Sequence, residues 1–346
     1  MVTELGTALG TLPHPDPAAA LAARPDQLRI DGQMWDRFAA VHATGRFAAE
    51  LTRSFANGRA LLEAPDGLRR RVPRTVEWTG GRRPPGDEVA PIDLRIDHVY
   101  LVSCKYESDI LANVSPGRLF DGLLATTGGW DRGDWYERVA PDELVELYRA
   151  CLAATGLSSL PTEPGRCSRD ELAELRVALS GRAYPDDRSR AAYARLCATV
   201  SEASARRWTE QMAASGTAPE TMLWRLLRIG SAPYFVLGHD RRSDRPARFR
   251  IASPWDWRDE FALVGFEVSP ARAGQPRVDW AGTCRSRRDG TTEAVAGHVE
   301  IRWSHGRFAQ PPEAKVYLDT PMACLPGYHP LHQVGDAQPT LWTTDP

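Results

Sequence analysis

Apolar and polar residues alternate with a period of two from Pro91 to Lys105, the spacing of half-buried strands. Ile92, Leu94 and Ile96 fall on one face of a first strand, and Asp93, Arg95 and Asp97 on the other. After Asp97-His98-Val99 the alternation resumes, with Tyr100, Val102 and Cys104 on one face and Val99, Leu101, Ser103 and Lys105 on the other. The pattern predicts a β-hairpin. Upstream, Trp35, Phe38, Val41, Phe47, Leu51 and Phe55 recur near helical spacing and predict a helix from about Met34 to Glu63, kinked at Gly45, followed by a strand near Thr75–Trp78. Residues 1 to about 30 contain Pro13, Pro15 and Pro17 and are expected to form a loosely anchored lead.

Past the hairpin, Ser115 as N-cap and Pro116 at the first helical position mark a helix start. From Pro141 the pattern turns helical, over Pro141–Ala154, Ser168–Leu179, Asp186–Ala214 and Pro219–Leu227, and Ser168 with Glu171 forms a capping box. Strands return at Tyr234–Leu237, Arg248–Ile251, Phe261–Val268, Arg277–Cys284, Ala294–Trp303 and Ala314–Leu318. They are expected either to form a second domain or to extend the first sheet.

The hairpin's loop decides what its side chains can do together. A three-residue loop, Asp97-His98-Val99, sets Asp93 across from Ser103 and puts Asp93 and Lys105 on one face. A two-residue loop would pair Asp93 with Val102 and separate them, because a slip of one residue inverts a strand's sidedness. An Asp and a Lys on one face are a minimal kit for holding a divalent metal and activating water against a phosphodiester. The same residues also suit an ordinary solvated sheet face. A lysine that closes a strand as apolar as Val102-Ser103-Cys104-Lys105 is the feature that favours a site.

Pro91-Ile92-Asp93 followed ten residues later by Ser103-Cys104-Lys105 resembles the signature of the PD-(D/E)XK nuclease superfamily, an Asp opening one strand of a hairpin and an E-x-K closing the next. The departure is Ser103 at the place of the Glu. The resemblance implies an α/β (α+β) chain with a restriction-endonuclease-like mixed sheet flanked by helices. The expected organisation is a nuclease-like core over 1–130, a helical insert over 131–228 and a β-rich C-terminal region over 229–346. It also implies Mg²⁺ (or Mn²⁺) held by Asp93, a second acid and the backbone carbonyl of Cys104, with Lys105 orienting water and Ser103 bonding a water beside the metal. Candidates for the second acid are Glu50, on the N-terminal helix, and then Glu107, with Glu77, Asp87 and Glu88 behind them. The implied activity is DNA hydrolysis by a bacterial restriction or phage-defence endonuclease. The alternative is a nuclease-like subunit that no longer cleaves and binds DNA or docks partners.

Composition narrows the picture. The chain has 346 residues, 42% hydrophobic, enough for substantial cores, and a net charge of −2, so any DNA-binding face must be local. Arg69, Arg70, Arg71, Arg74, Arg82, Arg83 and Arg118 are the candidates for phosphate contacts. The arginines of the 141–227 helices suit an ordinary charged face. Expected partners are DNA, other defence-system proteins and a second copy of the chain. Six cysteines without a CxxC pair point to reduced thiols, and no secretory signal or membrane-spanning run is evident, which together imply a cytoplasmic protein. Two further groups carry weaker chemistry. Glu313-Ala314-Lys315 is an E-x-K without a matching Asp strand, and Cys324, His329 and His332 lack a fourth zinc ligand. His305 is expected in a turn.

Overall fold

A computed structural model describes residues 1–80, 92–106, 110–125, 129–130, 133–181, 184–240 and 243–332. In chain order its elements begin with α1 (Val2–Gly10), α2 (Pro17–Ala23), β1 (Leu28–Arg29), α3 (Gly32–Ala43), α4 (Ala48–Glu63), β2 (Val76–Trp78), β3 (Leu94–Ile96) and β4 (Tyr100–Tyr106). Next come β5 (Ile110–Val114), α5 (Pro116–Phe120), α6 (Trp135–Val139), α7 (Pro141–Thr155), α8 (Arg169–Ala178), α9 (Asp187–Ser215) and α10 (Pro219–Leu226). The chain ends through β6 (Tyr234–Asp240), β7 (Arg245–Ile251), α11 (Pro254–Glu260), β8 (Phe261–Arg272), β9 (Pro276–Ser286), β10 (Thr292–Arg302), β11 (Glu313–Leu318) and β12 (Tyr328–Pro330). The fold is mixed α+β.

Contacts cluster into two units, Met1–Ser108 with Ile229–Trp257 and Met322–Pro346, and Asp109–Arg228 with Arg258–Pro321. The three consecutive stretches 1–130, 131–228 and 229–346 are therefore not the structural divisions. The expected β-rich region is shared out. Its strands β6, β7 and β12 join the first sheet, whose order is β1-β2-β3-β4-β6-β7-β12, while β8 to β11 and β5 make the second, in the order β5-β11-β10-β9-β8.

In the first unit β1 runs parallel to β2 and β4 parallel to β6, and the other neighbours are antiparallel. The expected helix 34–63 is two helices, broken where Gly45 takes φ +67°. Residues 1 to 30 are not a loose lead: Leu5, Ala8, Leu9 and Leu12 are fully buried in the core that also holds Leu51, Phe55, Leu94, Ile96 and Val102. The reason lies in three glycines at the α1–α4 crossing. A Cβ on Gly10 would stand 2.1 Å from the Phe55 carbonyl oxygen, and one on Gly58 would stand 2.0 Å from that of Thr7. A Cβ on Gly6 would meet the Ser54 hydroxyl. Glycine lets the two backbones touch, so a short helix buries its apolar stripe fully.

The second unit packs the long helix α9 along β8 and β9. Every second residue of β9, from Pro276 through Val278, Trp280 and Gly282 to Cys284, is buried, the signature of a sheet with one face covered. Phe120, Trp135 and Trp208 form an aromatic cluster, with Phe120 stacked on Trp135 at 5.3 Å between centroids and edge-on to Trp208 at 5.6 Å. The Trp135 indole N–H donates to Ser204 Oγ at 2.9 Å and the Tyr136 hydroxyl donates to the Ile301 carbonyl at 2.7 Å, whereas the buried Trp208 indole N–H has no partner among the described residues. The Ser168–Glu171 capping box and the Ser115 cap form as expected. Among the described residues, no helix is long and apolar enough to cross a membrane.

Candidate functional site

The hairpin adopts the three-residue loop. Leu94 pairs with Val102, Arg95 with Leu101 and Ile96 with Tyr100, a register that continues to Asp93 opposite Ser103. Asp97 and His98 both take positive φ, 49° and 60°, and the Val99 N–H donates to the Ile96 carbonyl across the turn. The Asp97 carboxylate accepts from the N–H groups of Arg74 and Thr75, so this aspartate fastens the chain entering β2 to the turn.

At the open end β3 stops short, and among the described residues the edge of β4 facing it has no ladder partner beyond Val102, while the other edge stays paired with β6. The Asp93 carboxylate takes that place. Its Oδ2 accepts from the Cys104 backbone N–H at 2.6 Å, while the Asp93 N–H donates to the Val102 carbonyl at 2.9 Å and the Asp93 carbonyl accepts from Thr79. A strand residue sends its N–H and C=O to the same side, so the Cys104 carbonyl leaves β4 on the edge where the Asp93 carboxylate sits. Two hard oxygen donors thus come from one strand end. Burial, and after it the charge of Asp93, push the Cys104 thiol well above its ordinary pKa.

Ser103 is fully buried, and its hydroxyl has no hydrogen-bond partner among the described residues. Lys105 is half-buried and lies in register with Gly238 of β6. A Cβ at Gly238 would fall 1.6 Å from the Lys105 carbonyl oxygen, so glycine alone allows the two strands to approach at this point. By strand alternation Lys105 and Ser103 share a face, and Cys104 and Tyr106 share the other.

The remaining candidates are dispersed. Glu50, in the first turn of α4, lines a cavity with Tyr106 and His239, on the side of the sheet away from Lys105. Glu107, Arg82 and Arg83, with Asp87 and Glu88, lie outside the described residues. Glu77 faces His98, 3.4 Å away. Arg69 and Arg70 take positive φ, 55° and 61°, where their N–H groups donate to the Ala64 and Leu62 carbonyls and finish α4, while their side chains are exposed. Arg71 stands 3.7 Å from Asp97 and over the Tyr100 ring, and it lines a cleft with Arg74 and His98. This basic group gathers at the turn of the hairpin, about 13 Å from Asp93 at ~3.3 Å per residue. Arg118 belongs to the second unit, its guanidinium 5.5 Å from the Trp130 ring.

Among the described residues no three His, Cys, Asp or Glu side chains gather as a metal cluster. The donors at the β4 edge, one carboxylate and one carbonyl, suit Mg²⁺, which retains waters and takes one or two protein carboxylates beside a substrate phosphate. They do not suit a soft metal. His332 turns to Asp66 at 3.1 Å, and Cys324 is exposed. Glu313, at the start of β11, is held by Ser304, by Asn113 at 3.3 Å and by Lys315 at 3.6 Å, and His305 stands 3.6 Å from it. Sequence reasoning missed a hydrogen-bonded group in the first unit, Asn57 with Tyr106 and Arg248. Its members are 49 and 191 residues apart in the chain, and no local spacing signals them. No family model, no curated protein and no solved structure matches this chain.

Proposed function

We propose that the chain is a Mg²⁺-dependent phosphodiesterase acting on DNA, of the restriction or phage-defence kind. The observation that supports this reading is the hairpin register, which carries Asp93 to the edge of β4 beside Ser103-Cys104-Lys105, with its carboxylate on the Cys104 N–H at 2.6 Å. In this reading Asp93 and the Cys104 carbonyl would hold the metal, which when bound supplies Lewis acidity toward water and phosphate. Lys105 offsets the negative charge that grows on the phosphorane, a role worth most in a partly enclosed site. The Ser103 hydroxyl orients a water by donating to it or accepting from it. Arg71 and Arg74 neutralise backbone phosphates without reading sequence.

The test is incubation of the purified chain with plasmid and with single-stranded DNA, with Mg²⁺ or Mn²⁺ and with chelator, alongside Lys105→Ala. The expected result is metal-dependent cleavage that the variant slows about 10²- to 10³-fold, the cost of removing one electrostatic stabiliser of a transition state. Equal cleavage by both proteins eliminates the site.

A second reading rests on Ser103, a buried hydroxyl at the position where the nuclease signature carries an acid. It makes the chain a binding or docking subunit. Tight DNA binding without cleavage, unaffected by Asp93→Ala, would select it.

A further inference from the structure

The helical side of the first sheet carries a cavity that the hairpin chemistry leaves unused. It opens at the carboxyl ends of the parallel strands β4 and β6, where Tyr106 and His239 are neighbours. Crevices at the carboxyl ends of parallel strands are recurrent ligand sites in open sheets, and this is the end at which the chain leaves the sheet after β4. One compartment, ≈ 260 Å³, is lined by Arg53, Asn57, Gly238, His239 and Arg248, among others. A second, ≈ 450 Å³, shares Arg53 and His239 with it and adds the apolar walls Val2, Val41 and Phe47, with Glu50 at its margin.

The polar compartment is built. Asn57 is buried on α4 and uses its whole amide: its Nδ2 donates to the Gly238 carbonyl at 2.7 Å and to the Tyr106 hydroxyl oxygen at 3.0 Å, and its Oδ1 accepts from Arg248 Nε at 2.8 Å. Tyr106 is in turn bonded to Thr7 Oγ1 at 2.9 Å. This chain of bonds fixes the Arg248 guanidinium through its Nε. Arg248 has no carboxylate partner among the described residues, and burial depresses its pKa. A half-buried guanidinium held by neutral groups is costly without an anion. Arg53, 3.9 Å from Asp244, supplies a second cation at the rim, and His239 is bonded to the same aspartate at 2.8 Å.

We infer that this cavity binds a small phosphate-bearing molecule with a flat apolar body, the class to which nucleoside monophosphates belong, its phosphate on Arg248 and Arg53 and its body between Val41 and Phe47. Taken together, the two compartments fall within the size of ligand pockets. A guanidinium is the side chain best shaped for a phosphate's paired oxygens. Glu50 is placed to accept from an amino or hydroxyl group on the body. The inference does not depend on the nuclease reading, because the cavity and Lys105 lie on opposite sides of the sheet.

The test is calorimetric titration and thermal-shift measurement of the full chain with a panel of ribo- and deoxyribonucleoside monophosphates, the nucleosides alone, inorganic phosphate and an aromatic carboxylate. Arg248→Gln, Arg53→Gln and Lys105→Ala are titrated in parallel. At least one monophosphate is expected to bind and raise the melting temperature. It should bind more tightly than either its nucleoside or inorganic phosphate, lose at least about tenfold in affinity in Arg248→Gln, and be unchanged in Lys105→Ala. Should Arg248→Gln fail to fold, Arg53→Gln, at an exposed position, carries the test with the same direction of effect. No binding by any monophosphate at millimolar concentration overturns the inference. So does equal affinity in the folded arginine variants, or binding of the carboxylate in preference to every phosphate.

Discussion

Removing the Asp93 carboxylate separates its structural from its chemical work. The Cys104 N–H lies past the end of β3 and finds its acceptor in Asp93 Oδ2 at 2.6 Å, a charge-assisted bond. A hydrogen bond to a charged group contributes about 1.5–3 kcal/mol, and a donor left inside without an acceptor loses that amount. Asp93→Ala deletes the acceptor. Asp93→Asn retains a neutral one, at about half the strength. At about 2–4 °C per kcal/mol for a folding unit of 150–250 residues, Asp93→Ala is expected to lower the melting temperature by roughly 3–12 °C, and Asp93→Asn by no more than half of that. Hydrogen exchange at the Cys104 amide reads the same bond directly, with protection lost in the alanine variant and largely kept in the asparagine variant. Equal loss of protection in both, or loss in neither, would refute the strand-capping argument. Activity should follow a different rule: if Asp93 acts as a metal ligand, both variants lose cleavage, since a neutral amide is a poor substitute for a carboxylate on Mg²⁺.

Three further expectations follow from other parts of the molecule. Gly58→Ala places a Cβ 2.0 Å from the Thr7 carbonyl oxygen and must push α1 off α4; denaturant melts should show a loss of about 1–3 kcal/mol or more, and an unchanged midpoint would contradict the close crossing. His298 in β10 donates from Nδ1 to Asp319 at 2.9 Å and lies 3.8 Å from Glu300, with Arg277 also near Asp319. Burial opposes its charge, but the neighbouring Glu300 carboxylate and the hydrogen-bonded Asp319 outweigh it and raise its pKa above 6.5. A raised histidine stabilises fully below the unfolded value and loses that contribution as pH climbs through the folded one. The stability advantage of the native chain over His298→Gln, about 1.5–3 kcal/mol in acid, should therefore shrink as pH rises above about 6.5; an advantage that grows with pH has the wrong sign. Lys105→Ala is expected to suppress DNA cleavage without a matching loss of melting temperature, separating a chemical role from a packing one.

Local pattern carried a large part of this structure. Strict alternation around Asp97-His98-Val99 gave the hairpin and left its register to the loop, and caps at Ser115 and Ser168 located helix starts because their hydroxyls act within three residues. What stayed hidden depends on partners far along the chain. Helix α1 was missed because Gly6 and Gly10 weaken a helix considered alone, and only their contact with α4 turns that weakness into burial. The strand at Tyr234 was visible, but nothing in its own residues says that it lies parallel to β4 and not beside β8. At the candidate site the hairpin pair was legible, whereas the second acid was not. Glu50 had the right helix in the right order, yet the sheet stands between it and Lys105.

The interleaving of the two units has a consequence for how the protein comes into being. The first sheet needs β4 from before the second unit and β6 from inside the sequence that interrupts it, and the second sheet joins β5 to strands that follow β7. Neither sheet can be completed while the chain is short. A ribosome must release residues through β11 before the second sheet closes and through β12 before the first does. Any truncation between α5 and β11 leaves both unfinished, so neither unit can be made from a single continuous stretch of the chain.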